Sequence, residues 1–142
     1  MKGFSLVELL IVIGGTIIIV ALTLPVGVNF YRSQIVAETR DDILLTIRKA
    51  QFQAGQQKND SSFGVKFFPD SYVLFQGSSY GARITSEDEN FSLANGVSVS
   101  GIDELVFAKT SGLPDTIGTI NITFGSDTYK INVNSQGKIE RG

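Results

Sequence analysis

From Leu9 to Tyr31 the chain runs 23 residues without one charged side chain. As a helix rising about 1.5 Å per residue, that stretch reaches roughly 35 Å, enough to cross a hydrocarbon core of about 30 Å. A soluble globule has no place for an uncharged helix of this length. The chain is therefore expected to be made as a membrane protein, with a single spanning segment close to its N-terminus.

Two ordinary readings of such a segment leave residues unexplained. A secretory signal peptide carries several basic residues, a shorter apolar run and a small-x-small cleavage site behind it. Here only Lys2 is basic ahead of the run, and Thr23-Leu-Pro-Val-Gly27 offers no Ala-x-Ala pattern. A plain anchor fits the length but gives no reason for Glu8, the lone acid at the head of the run. A carboxylate at mid-bilayer costs about 2.5–3.5 kcal/mol on insertion scales and less near the interface, and an intramembrane acid is by default a functional residue.

The octapeptide Gly3-Phe4-Ser5-Leu6-Val7-Glu8-Leu9-Leu10 resembles the class III prepilin motif of type IV pilins and type II secretion pseudopilins. The likeness covers the glycine before the cut, the phenylalanine after it and the glutamate four residues on. Pro25 matches a position where many members carry a helix-kinking proline.

The resemblance implies a life in two stages. A prepilin peptidase would remove the leader, residues 1–3, by cutting between Gly3 and Phe4, and would N-methylate the new terminus at Phe4. Residues 4–31 would hold the subunit in the inner membrane with residues 32–142 outside the cytoplasm; Lys2 agrees in sign with the positive-inside rule. The implied partners are the lipid bilayer, the inner-membrane assembly platform and the other subunits of a hetero-oligomeric helical filament. Residues 4–31 would pack with their counterparts in its core. In that low-dielectric core an unpaired Glu8 carboxylate would be costly, and the freed amine of a neighbouring Phe4 would neutralise it and fix the helix register. The plain alternative is that Glu8 snorkels to the headgroups. Gly14, Gly15 and Pro25 weaken the helix by about 1 kcal/mol per glycine and about 3 for proline. They mark it for bending or local melting, or else serve close packing and a fixed kink.

Residues 32–58 turn amphipathic. Ile35, Thr39, Ile43, Ile47, Ala50 and Ala54 recur at spacings of three and four, with Leu44 and Leu45 widening the stripe. Gly55 and the polar run behind it end the helix. Residues 61–142 read as short antiparallel strands: 63–67 and 72–75 about a Phe68-Pro69-Asp70-Ser71 turn, 91–93, 97–99 and 105–108, then a hairpin of 117–124 and 128–133, and 138–140 at the end. Residues 77–90 and 111–115 read as loops. The expected fold is α+β: a long N-terminal helix, apolar then amphipathic, packed on a small antiparallel sheet. Phe63, Phe67, Leu74, Val106, Ile122 and Ile131 are expected in its core.

Phe63-Gly-Val-Lys-Phe67, Tyr72-Val-Leu-Phe75 and Ile131-Asn-Val-Asn-Ser-Gln-Gly-Lys-Ile139 are similar to the H-type minor pseudopilins and related minor pilins. That resemblance implies a subunit at or near a filament tip that primes assembly; a major, shaft-forming pilin shares the N-terminal motif. Pilus, competence pilus and secretion pseudopilus share these features, and the machine stays open.

With no histidine and no cysteine, His-based catalysis, thiolate chemistry and Cys/His metal sites are excluded. No enzyme activity and no cofactor is expected. The acids Glu87, Asp88, Glu89, Asp103 and Glu104 lack calcium-loop spacing and read as solvated charge. Three Asn-x-Ser/Thr triplets, at Asn59, Asn90 and Asn121, are weak signals. Lys130, Lys138 and Arg141 are the candidate nucleic-acid contacts, since some similar minor pilins take up DNA. Against this, residues beyond Tyr31 carry 11 basic and 13 acidic side chains, a net of −2, and DNA binding needs clustered cations. DNA is not an expected partner.

Overall fold

A computed structural model describes residues 3–142, apart from the side chains of Leu24 and Pro25. The chain divides into two compact units, Met1–Gln34 and Ile35–Gly142. One helix, α1 (Leu6–Gly55), provides all the regular structure of the first and opens the second.

In the first unit, every described side chain from Phe4 to Phe30 is exposed, and one 18-residue window meets the length and hydropathy of a membrane span. The segment is rich in Ile and Val, which in water favour strands. Helix is the form in which an isolated segment satisfies its own backbone in lipid. Its hydroxyls follow the same rule: Thr16 Oγ1 donates to the Val12 carbonyl, and Thr23 Oγ1 to the Ile19 carbonyl at 3.0 Å.

In the second unit, α1 buries Val36, Ile43, Leu44, Ile47, Ala50 and Ala54. The expected stripe is thus present, with two changes. Leu45 points outward, 62% exposed, while Val36 and Thr46 face inward. The reason is the helical period: 100° per residue carries position 45 past the edge of the face that Ile43 and Ile47 define. The helix ends at Gly55 with the polar run behind it, as expected, and within that run the left-handed conformation falls on Gln57 (φ 52°), then on Asn59 and Asp60 with φ 53° and 50°. Asn59 Nδ2 donates to Oε1 of buried Gln76 at 2.9 Å, anchoring this turn.

Eight strands follow: β1 (Phe63–Phe67), β2 (Ser71–Gln76), β3 (Glu89–Ser92), β4 (Val97–Gly101), β5 (Glu104–Phe107), β6 (Gly118–Phe124), β7 (Asp127–Val133) and β8 (Ile139–Arg141). They form two four-stranded antiparallel sheets, ordered β3-β2-β1-β5 and β4-β6-β7-β8, where one sheet was expected. Between β4 and β5 only Ile102 and Asp103 intervene, so the chain changes sheet there. The hairpin of β6 and β7 closes through Gly125-Ser126, with Gly125 at φ 62°.

One core joins α1 to both sheets, drawing Phe63, Val65, Phe67, Tyr72 and Leu74 from the first and Val97, Ile120, Ile122, Ile131 and Val133 from the second. All six expected core residues are buried. The far face of the first sheet is covered too. Val73, Phe75 and Val106 are buried there, and the Tyr80 ring stands edge-on to Phe75 and Phe68, each at 5.6 Å. Of the segment 77–90, expected as plain loop, Glu89 and Asn90 belong to β3 and the part before them has a packing role. The Arg83 guanidinium stacks 3.8 Å from the Tyr80 ring and donates to Asp88 at 2.7 Å.

Candidate assembly site at the helix N-terminus

Gly3, Phe4 and Ser5 precede the helix. The Ser5 carbonyl accepts from the Glu8 and Leu9 amides at 3.1 and 3.2 Å, so the first turn closes on Ser5. The Gly3–Phe4 peptide bond thus lies in non-helical backbone, and the Phe4 side chain is 84% exposed. An exposed, irregular bond is the form a peptidase can draw into an extended conformation. Lys2, the expected leader charge, lies outside the described residues.

Glu8 sits in the first turn of α1 and is exposed. A carboxylate there faces the positive end of the helix dipole, an interaction commonly worth about 0.3–1 kcal/mol. Phe4, whose amine the cut would free, lies four residues ahead of it. Gly3 and Phe4 thus stand directly ahead of the first turn that carries Glu8.

Gly14 and Gly15 lie mid-helix, and an added Cβ at either would meet nothing within 4 Å. Among the described residues their smallness serves no contact, which leaves conformational freedom or packing against another molecule. Helix is continuous through position 25, while the Pro25 side chain lies outside the described residues.

The basic residues of the C-terminal strands do not form a patch. Lys130 is exposed on β7, and the chain end returns beside it, the Gly142 amide donating to the Lys130 carbonyl. Arg141 pairs in register with buried Ile131, so alternation turns it to the opposite face, where it meets Asp41 of α1 at 3.1 Å. Lys138 is paired with Glu140.

The acids expected to be simply solvated have partners. Asp88 is held by Arg83, Glu89 meets Lys49 at 2.6 Å, and Asp103 and Glu104 lie 2.9 and 3.6 Å from Lys66. Only Glu87 of the first cluster is free of such a pair among the described residues. Hydrogen bonding to Asp103 raises the Lys66 pKa above the usual lysine value, and the same bond lowers that of Asp103. Among the described residues no group of three or more His, Cys, Asp or Glu could hold a metal ion.

Sequence reasoning missed Gln51. Its Nε2 donates to the Gly112 carbonyl at 3.1 Å and the Gly137 carbonyl at 2.8 Å, tying two distant loops to α1. A lone glutamine at the margin of an apolar stripe gives no signal of this.

Comparison with family models, curated proteins and solved structures found no match. The functional reading rests on this chain's own residues.

Proposed function

We propose that the chain is a minor pilin or pseudopilin, a structural subunit that assembles through its N-terminal helix into a type IV pilus or a type II secretion pseudopilus. The observation that carries the reading is the first turn of α1. A lone acid at Glu8 stands four residues behind Phe4, at the head of the uncharged stretch 9–31 of α1. A prepilin peptidase frees Phe4 and methylates it, the subunit waits in the inner membrane with residues 32–142 outside the cytoplasm, and the assembly platform then passes it to the filament. There Glu8 meets the Phe4 amine of a neighbouring subunit. A subunit of this kind acts by position rather than by catalysis, at or near the tip.

The test is quantitative mass spectrometry of the sheared filament fraction from cells that make the protein. The expected species is a peptide that begins at methylated Phe4, at a small fraction of the dominant pilin. The same peptide as the dominant species makes this the shaft-forming subunit. Intact Met1 confined to membranes overturns the pilin reading. Glu8→Ala is expected to leave processing intact and to remove the protein from filaments; normal filament levels would sink the register role.

A further inference from the structure

Among the described residues, β4 is the one outer strand of the two sheets left without a covering segment, a charge or a very short length. The outer edge of β5 is closed by residues 113–115: the Val106 amide donates to Asp115 Oδ1 at 2.9 Å, the Asp115 amide returns to the Val106 carbonyl at 2.9 Å, and Phe107 bridges to Pro114. β3 carries Glu89, held by Lys49, and β8 is three residues long with Glu140 and Arg141. Short length and charge are the usual protections of an edge. β4 has neither charge nor proline, and no charged residue occurs from Asn90 to Ile102.

Its free hydrogen-bonding groups can be placed. The Ile102 amide donates to the Thr119 carbonyl, which extends the β4–β6 register by one pair. Residues 98, 100 and 102 therefore direct their backbone groups to β6, and Val99 and Gly101 direct theirs to the open edge. Among the described residues no hydrogen bond reaches the Val99 or Gly101 amide. A crevice of about 210 Å³, lined by Phe67–Pro69 and residues 99–103, lies beside this stretch.

We propose that β4 pairs antiparallel with β4 of a second copy, joining the two sheets across a twofold axis at Val99. The strand is self-complementary in that register. Val99 faces Val99 of the second copy with both backbone bonds made, Val97 faces Gly101, and Ser98 faces Ser100. The exposed serines meet on the outer face, and the half-buried Val99 side chains meet on the core side, beside the crevice. No charge opposes another, and an isologous contact of this kind closes at two copies. It stands apart from the head-to-tail contacts of a polar filament and does not depend on the pilin reading.

Because the chain lacks cysteine, the register can be read by disulfide formation. Full-length Ser98→Cys and Ser100→Cys chains are mixed in detergent micelles under mild oxidation, and each is also oxidised alone. In the proposed register, residues 98 and 100 of the two copies form a non-hydrogen-bonded pair with Cα atoms about 4.5 Å apart. Each residue and its own equivalent lie beyond the roughly 7 Å that a disulfide can bridge. The mixture should give several-fold more linked dimer than either variant alone. Val99→Pro should remove that excess and leave the circular dichroism unchanged, since the lost amide points away from β6. A mixture no better than its components, or an excess that survives Val99→Pro in a folded protein, overturns the proposal.

Discussion

A methyl group has no room at Gly64: a Cβ there would stand 2.5 Å from Phe75 Cζ and 2.8 Å from the Leu105 carbonyl oxygen. Gly64→Ala should lower unfolding stability by about 1–3 kcal/mol through overpacking. Denaturant melts of the full chain in micelles would measure this, and Gly14→Ala, with open space around it, should show no such loss. The Lys66–Asp103 pair sets a pH dependence of definite sign. Asp103 has a lowered folded pKa, so its contribution is present above about pH 4, the unfolded carboxylate value, and fades as pH falls through the folded one. Lys66 has a raised folded pKa, so its contribution is present below about pH 10.4 and fades as pH rises through the folded value. Tyr72 adds in the same alkaline direction, because burial raises its phenol pKa, against a smaller opposing hydrogen bond from Thr46. Asp103→Asn should therefore flatten the acid limb of stability against pH and leave the Tyr72 part of the alkaline limb. Individual residues were legible in sequence where chemistry is unusual for its surroundings, as with Glu8 in an apolar run. Gln51 was not, because its carbonyl partners lie 61 and 86 residues along the chain and only the fold brings them near. Arg83 was not either, although Tyr80 and Asp88 are close in sequence, because a polar, irregular segment carries no period that shows which side chains it turns inward.

At the scale of elements, the helical stripe divides α1 cleanly. Ile47 is fully buried and Leu45 is 62% exposed, two residues apart. Ile47→Ala should cost about 2–5 kcal/mol, and Leu45→Ala less than about 0.5, by the same denaturant melts. Gln51→Ala should cost about 1–3 kcal/mol, since two loop carbonyls lose their donor together. Helix, hairpins and core positions could be read in advance because period and turn chemistry are local. Strand-to-sheet assignment could not. Alternation says which side chains share a face, but nothing in β4 or β5 announces that the chain changes sheet at Ile102-Asp103. The 77–88 segment misled for a related reason: its polar composition describes its outer surface, while Tyr80 and Arg83 do the covering beneath.

For the molecule as a whole, charge is balanced and locally paired. With Arg141 on Asp41 and Lys138 on Glu140, a phosphate backbone finds little to neutralise, and the full chain in micelles should leave labelled duplex DNA unshifted at low salt. A strongly salt-dependent shift that Lys138→Ala with Arg141→Ala abolishes would reverse that expectation. The Gln51 amide reaches across 86 residues to Gly137, and Arg141 across 100 to Asp41. During synthesis at about 5–20 residues per second, position 137 leaves the ribosome roughly 4–17 s after position 51. Over that interval the nascent helix carries its inward stripe, Val36 to Ala54, with the strands of the first sheet complete by residue 107 and the second sheet still lacking β8.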